Sequence, residues 1–479
     1  MTMGAGLRPA SKGVDKPPDP KVGAPALYPA GLGSRSTQQA ADSREIGVSL
    51  SPPVKVGTLQ TALHTKAKNS PDYRFYALYD KIYRRDVLAF AYERCRANGG
   101  VPGIDGRSFA DIEAYGKDRW LDELAKELRE ETYHPRPVRR VYIPKGDGKQ
   151  RPLGIPCIKD RVVQMAAVLV LEPVFEADLE PEQHAYRPER SALDAVGEVE
   201  RLLRSGHTEV VDADLSGYFD SIPHAELKKS VSRRISDGRV LRLVKLWLET
   251  PVEETDAKGH RQRTTRNKDQ GMGTPQGAPI SPLLSNIYMR RFVKGWKTGG
   301  HERRLGARIV NYADDFVICC RGTADEAMTV MRRMMSKLKL TVNETKTRLC
   351  RLPTETFDFL GYTLGRNYDR RTGHAYIGPR PSRKKIKRLC SEISDLTTRK
   401  TTRRDVAAQI GRINRKLRGW SNYFRIGTIR PAYRQVNHHV RYRVRQWLCA
   451  KFKVRGQGTT RFPDAYLYQE LGLYQLQRT

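Results

Sequence analysis

Cysteine is sparse in this chain and never paired. The seven thiols (Cys95, Cys157, Cys319, Cys320, Cys350, Cys390 and Cys449) contain no Cys-x-x-Cys, so no zinc ribbon is indicated. An odd, dispersed set suits a reducing compartment. Long apolar runs are missing too. There is no stretch of about 20 apolar residues and no lipidation signal, so nothing points to a membrane span or anchor. Negative charge is the third shortage: Asp and Glu total 53 against 87 Lys and Arg, a formal net charge of +34, with a pI near 10.0. Such an excess suits a polyanion, and nucleic acid is a better match than an acidic membrane.

The 479 residues suffice for two or three domains. Residues 1–68 are rich in Pro, Gly, Ser and Ala without a sustained apolar period, and read as a disordered arm. They lack the apolar core of a secretory signal, and Asp15, Asp19, Asp42 and Glu45 argue against a transit peptide. Apolar periodicity predicts helices over Tyr73–Arg96, near Trp120–Arg129, over Asp160–Phe175, along Val240–Leu248, from Ser281 onward and around Ala327–Leu338. The polar stretch Glu253–Gln270 reads as a loop and Phe357–Leu364 as a strand. Three further stripes run from Ile386 to Leu396, from Val406 to Phe424 and from Tyr433 to Trp447, and predict a compact helical bundle. Its exposed faces are mainly Arg and Lys, broken by Glu392, Asp395 and Asp405. A helix that needed only solubility would mix signs, so this bias argues for phosphate contacts. The tail beyond Gln457 carries Tyr466, Leu467, Tyr468, Leu471, Leu473 and Tyr474 and is expected to dock on the bundle.

The chemistry centres on Tyr312-Ala313-Asp314-Asp315. Two β-type runs, Ile309-Val310 and Phe316–Cys320, flank it and predict a hairpin with acid at its tip. An isolated Asp-Asp at a turn is ordinarily just solvated. Upstream, however, Val210-Val211-Asp212-Ala213-Asp214-Leu215 is a second apolar run ending on acid. A strand there, laid beside the hairpin, would gather Asp214, Asp314 and Asp315. Three clustered carboxylates repel unless cations neutralise them. Mg²⁺ takes hard oxygen ligands from a few carboxylates and substrate phosphates, and two such ions about 3.5–4 Å apart clamp both oxygens of a phosphoryl transfer. That is nucleotide-polymerase chemistry. A second hairpin is predicted where Val141–Pro144 and Arg151–Pro156 flank Lys145-Gly146-Asp147-Gly148-Lys149. Lys145 and Arg151, with Lys149 a weaker candidate, could close over a triphosphate; a solvated basic turn is the plainer alternative.

The ordered motif series now resembles that of a group II intron reverse transcriptase, or maturase. It comprises Gly100–Gly106, Ile143–Pro156, Ala185-Tyr186-Arg187-Pro188, Asp214–Asp220, Thr274–Pro282, the Tyr312 hairpin, Phe359–Tyr362 and Gly419–Phe424. The match runs from about residue 70 to 450; Ala185-Tyr186 stands where the family more often has Gly-Phe. The resemblance implies an α+β right-hand polymerase, with fingers and an antiparallel palm sheet over 69–375, including an N-terminal extension over 69–115. An α-helical thumb or maturase (X) domain over 376–450 and a short tail over 451–479 would follow. No His-Asn-His pattern or cysteine pairs mark the endonuclease of many members, so a pre-existing 3′-OH would be needed as primer.

The implied activity is RNA-directed DNA polymerisation, with intron RNA held in its spliced fold and then copied during retrohoming. Asp214, Asp314 and Asp315 would be catalytic, holding two Mg²⁺ ions with help from the Leu215 carbonyl. Lys145, Arg151, Phe219, Gln276 and Lys346 would contact dNTP, Phe219 lying beneath the sugar as a gate against a 2′-OH. Arg187 and, on the thumb, Lys384, Lys387, Arg412, Arg415, Lys416, Arg418, Trp420, Arg441 and Arg445 would contact nucleic acid. Partners would be intron RNA in a ribonucleoprotein, a DNA target, template–primer duplex and dNTPs, in a bacterial cytoplasm and at the nucleoid during mobility. The residues alone leave plainer readings open. Tyr218 and Phe219 point to opposite faces of an extended chain, so one must be a core aromatic; Gln276 can tie down its own turn; Lys346 can be a surface lysine. Two other functions also stay open: a splicing cofactor with a vestigial polymerase site, which the presence of all three acids opposes, and a related reverse transcriptase serving host DNA repair or phage defence.

Overall fold

Eleven strands form three sheets among residues 50–144, 150–255, 260–369 and 371–477, which the computed structural model describes. In chain order they are β1 (Val138–Pro144), β2 (Gln150–Ile155), β3 (Glu209–Ala213), β4 (Val252–Thr255), β5 (Arg261–Thr264), β6 (Arg308–Tyr312), β7 (Asp315–Cys320), β8 (Arg348–Arg351), β9 (Phe357–Phe359), β10 (Tyr362–Tyr368) and β11 (Ala375–Pro381). The sheet that carries the acids has the order β6-β7-β3-β8, every pair antiparallel. A second sheet, β2-β1-β4-β5, contains one parallel pair, β1 with β4. The third is β11-β10-β9. The fold is therefore mixed α/β with mainly antiparallel sheets, followed by a helical C-terminal part.

The Ile158–Glu176 helix is mostly apolar and buried along almost its whole length, Asp160, Arg161, Gln164 and Glu172 included, as a helix with no solvent-facing stripe must be. The helices Val54–Asn69 and Arg85–Asn98 pack against it. Pro173 lies inside this helix and has no N–H to give the carbonyl four residues back, that of Leu169. Gln60 fills the gap, donating from Nε2 to the Leu169 carbonyl at 3.0 Å.

Gln60 belongs to a helix where disorder was expected. Residues 1–49 lie outside the described residues, but Val54–Asn69 is helical. Its buried face is Val56, Gln60, Leu63 and Ala67, too few large apolar residues to register as a stripe. The end of this helix is held by Arg234, only 1% exposed. Arg234 donates to the carbonyls of Ala67 at 2.7 Å and Ser70 at 3.1 Å, satisfying acceptors that a helix terminus leaves open.

Three other expectations are corrected. The Tyr73–Arg96 helix is a short turn at Tyr79–Ile82 and a helix over Arg85–Asn98. The chain before them is tied instead to Asp237, whose Oδ2 accepts from the amides of Leu78 at 2.8 Å and Tyr79 at 2.9 Å. The Glu253–Gln270 loop contains β4, β5 and a short helix, Arg266–Gln270. Pairing of β4 with β1 orders it, not local apolar content, since β5 is exposed throughout. Finally, Phe357–Leu364 is not one strand. The chain reverses at Leu360-Gly361, with φ of 49° and 85°, the two positive values that a tight primed hairpin needs.

The three C-terminal helices are Arg383–Leu396, Val406–Tyr423 and Arg430–Phe452. Ser382 and Asp405 cap the first two. The stripes read from sequence make the core, and Phe462, Leu467, Leu473 and Leu476 of the tail complete it. This bundle meets the third sheet at the β9–β10 turn: Tyr423 donates its hydroxyl to the Leu360 carbonyl at 2.7 Å, and Tyr362 donates to the Tyr423 carbonyl at 2.6 Å. Among the described residues no helix is long and apolar enough to cross a membrane.

The docked N-terminal helix is testable. Val56 is fully buried, so Val56→Asp should cost about 2 kcal/mol or more of stability, read as a clear fall in melting temperature. An unchanged melting curve would mean the segment does not pack on the Ile158–Glu176 helix in solution.

Candidate active site

The acid-bearing turn is built by register. In the β6–β7 hairpin Tyr312 faces Asp315, so the loop is only Ala313-Asp314. Ala313 sits at φ 59°, a left-handed conformation that costs a residue with a Cβ roughly 1–2 kcal/mol. Asn311 holds it there. Asn311 is fully buried, donates from Nδ2 to the Ala313 carbonyl at 2.8 Å, and bonds through its backbone to Glu182 and His184, both at 2.9 Å. On the other side of β7, Ala213 of β3 faces Phe316. One step further along the same ladder sets Asp214 beside Asp315.

Beyond β3 the chain is fixed by the segment before β8. Leu215 bridges to Val342, and the Asn343 amide donates to the Asp214 carbonyl at 2.8 Å. The Asp214 carboxylate accepts from Asn343 Nδ2 at 2.9 Å and from Lys346 Nζ at 3.0 Å. Turned onto these donors, it is not part of a closed cage: among the described residues no three acidic, histidine or cysteine side chains stand ready to hold a metal ion.

Crowding is nevertheless plain in the electrostatics. Asp315 stays open to solvent at the start of β7, yet its carboxyl is partly enclosed by protein. That enclosure, then the charges of Asp314, Asp214 and Asp212, push its carboxyl up to about 7, with Lys346 opposing. Asp212 is raised to about 6, first by burial, with Arg348 pulling the other way and Asp358 and Asp214 adding to the rise. Lys385, at the start of the first C-terminal helix, is lowered by burial and by Arg388 and Lys384, while Asp315 pulls it back up. Asp212 was missed in the sequence although the signal was there: residues two apart on a strand share a face, so Asp212 accompanies Asp214. Asn311 and Asn343 were missed because nothing local marks a buried amide as a clamp.

Of the dNTP candidates, Lys145 and the side chain of Arg151 lie outside the described residues. Phe219 is half-buried on a short helix, Tyr218–Ser221, not an extended segment. Tyr218 is the fully buried neighbour and donates its hydroxyl to the Ser285 carbonyl at 2.7 Å. The Phe219 carbonyl accepts from the Thr274 amide at 2.7 Å, which joins the Phe219 turn to the Gln276 turn. Gln276 donates from Nε2 to Asp220 at 2.9 Å and accepts at its carbonyl from the Gly154 amide at 2.6 Å. Gly277 follows at φ 102°, where a Cβ would lie 2.4 Å from the Gly154 carbonyl oxygen; only glycine fits this junction with β2.

The nucleic-acid candidates divide. Lys384, Lys387, Arg415 and Arg418 are exposed and Arg412 half-exposed, with the Arg418 guanidinium over the Tyr474 ring at 4.7 Å. Lys416 is paired with Glu392 at 2.7 Å, and Arg441 and Arg445 both pair with Asp464. Arg187 is turned inward and does not face a template: it forks onto Glu176 and donates to the carbonyls of Glu180 at 2.7 Å and Gln183 at 2.8 Å. Trp420 likewise packs inside the bundle junction, its ring 4.6 Å from that of Phe424. Arg187 is thus fully engaged within the protein, whereas Trp420 is half-buried.

Residues 143–364 match the family of reverse transcriptases (RNA-dependent DNA polymerases), and residues 386–462 match the group II intron maturase-specific domain. A polymerase domain joined to a maturase domain is thus the class this fold and site define. The chain belongs to the group II intron-encoded reverse transcriptase and maturase family. It is 34% identical to protein YkfC of Escherichia coli K12 over 352 residues, which are 66% of this chain and 90% of that one. It is 27% identical to the group II intron-encoded protein LtrA of Lactococcus lactis subsp. cremoris over 364 residues, 62% of this chain and 58% of LtrA. A 91 kDa protein in the cob intron of Schizosaccharomyces pombe is 26% identical over 368 residues, 63% of this chain and 43% of that protein. The chain therefore spans nearly all of YkfC but about half the length of the two intron-encoded proteins.

The raised Asp315 carboxyl sets a pH dependence. A carboxyl that titrates near 7 when folded but near 3.8 otherwise binds more protons in the folded state between those values. Its contribution to stability therefore falls as pH rises through that window. In metal-free buffer Asp315→Asn should raise the melting temperature at pH 8 and change it little at pH 4. An equal shift at both pH values would contradict the crowding.

Proposed function

We propose that this chain is a template-directed DNA polymerase that copies RNA and also binds its parent intron as a maturase. The reading includes a right-hand arrangement in which the helical bundle is the thumb. The observation that carries it is the convergence of Asp214, Asp314 and Asp315 at one edge of an antiparallel sheet, with Asp315 pushed up to about 7 by burial and then by its neighbours' charges. Such a site is short of positive charge, and its donors are hard oxygens that suit Mg²⁺. Asp214, Asp314 and Asp315 would hold two ions, with Leu215 offering its carbonyl. Bound there, they would supply activation of the primer 3′-OH and charge neutralisation on the leaving pyrophosphate.

The chain's own groups do the rest. The hairpin presents two carboxylates at a fixed angle because Asn311 locks Ala313. Lys346, now on Asp214 at 3.0 Å, is placed to turn toward a triphosphate when cations take over the carboxylate. The Phe219 carbonyl accepts from the Thr274 amide of the Thr274–Gly277 turn, and its ring would lie beneath the sugar. In the step itself the primer 3′-oxygen loses its proton and bonds to the α-phosphorus, while the bond from that phosphorus to the pyrophosphate oxygen breaks. YkfC and LtrA support the family reading; intron binding, DNA target and dNTP use are carried to this chain as proposals, as is a cytoplasmic setting.

Primer extension on poly(rA)/oligo(dT) tests the polymerase. Wild type should extend with Mg²⁺ and Asp314→Ala should lose at least about a thousandfold, the scale of removing an electrostatic group from a transition state; an inactive wild type that still binds RNA would leave only the splicing role. Phe219→Ala should raise rNTP incorporation relative to dNTP with extension retained. Unchanged discrimination would remove Phe219 from the sugar pocket.

A further inference from the structure

A cleft of about 680 Å³ lies between the Arg430–Phe452 helix and the tail, and none of the palm acids lines it. Resting on the RNA-binding reading above, we infer that it is a binding site for single-stranded RNA that takes up an unpaired nucleotide. Arg430, Arg434 and His438 follow one another at intervals of four residues on one helix face. Each step rises about 6 Å, so Arg430 and Arg434 form a cationic rail for a backbone, extended by the His438 imidazole as a hydrogen-bonding group. Arg430, Arg434 and His438 are exposed, and among the described residues that line the cleft none is acidic. Asp464 engages Arg441 from beside it at 2.8 Å, which leaves the rail itself to an external anion.

The opposite wall suits a base. Tyr468, half-buried and packed against the bundle core, brings an aromatic ring to the lining, and Gln475 and Gln477 bring amides that can donate and accept. This wall is rigidly held. Asn437 both donates to the Leu476 carbonyl at 2.9 Å and accepts from its amide at 3.0 Å. Asn414 does the same for Gly472 and Tyr474, at 2.8 Å and 2.7 Å. The cleft is thus formed before any ligand arrives. A concave site of this kind excludes a duplex, whose bases are stacked inward, and admits a splayed nucleotide whose base can stack on an aromatic ring. Amides within reach of the sugar favour RNA through its 2′-OH.

The test uses the full-length chain and a short, unstructured fluorescent RNA, with the same-sequence DNA and the RNA duplex as comparisons. Arg430→Gln with Arg434→Gln should weaken single-stranded RNA binding about tenfold and flatten its salt dependence by roughly 1.4 in the log–log slope, about 0.7 per lost phosphate contact. Tyr468→Ala should weaken it about as much with the slope unchanged, as a lost stacking contact does. The double arginine variant should keep the wild-type melting temperature, and poly(rA)/oligo(dT) extension should stay at wild-type values in both. A 4-thiouridine RNA should crosslink to the peptide that holds Tyr468. Unchanged RNA affinity in both variants, equal loss on the duplex, or equal binding and loss with DNA would overturn the site. Because extension is scored separately, loss of the cleft is distinguishable from failure of the polymerase reading.

Discussion

The structure is organised around a repulsion. Antiparallel pairing of β3 with β7 and of β7 with β6 brings three aspartates to one sheet edge. Like charges gathered at one edge repel. The sheet sustains this because the same strands bury Val210, Val211, Phe316, Val317 and Ile318 completely or nearly so, each worth about 1.5–3 kcal/mol. The crowding adds to burial in raising the Asp315 carboxyl to about 7, and it shows also in Lys346 lying against Asp214. Both are responses to a cluster that lacks compensating charge.

The surroundings serve to keep that edge in place. Asn311 fixes the hairpin loop, Asn343 fixes the end of β3, and the Gly277 turn is keyed into β2. The helical bundle joins through Tyr362 and Tyr423 at the β9–β10 turn, and Lys385 at its first helix feels the charge of Asp315. The start of the basic bundle therefore lies within electrostatic reach of the acidic edge.

Much of this was legible in the sequence. The hairpin at Tyr312, the neighbouring strand ending at Asp214 and the three basic helices follow from runs and stripes that have a single natural period. What escaped was whatever depended on distant partners. The Val54–Asn69 helix is ordered by Arg234 and by the Leu169 carbonyl that Pro173 leaves free, neither of which is local. β4 and β5 exist because β1 offers an edge. The internal partners of Arg187 and Trp420, Glu176 and Phe424, are likewise distant in sequence or set by the fold. Two positive φ values at Leu360-Gly361 turn what reads as one strand into a hairpin.

The central claim is that these acids exist to hold cations. Its most direct measurement is Mn²⁺ binding by electron paramagnetic resonance, on protein with primer–template and a non-hydrolysable dNTP. Two bound ions in the wild type and loss of binding in Asp214→Asn are predicted; no bound ion in the wild type, or the same number in both proteins, would contradict the account.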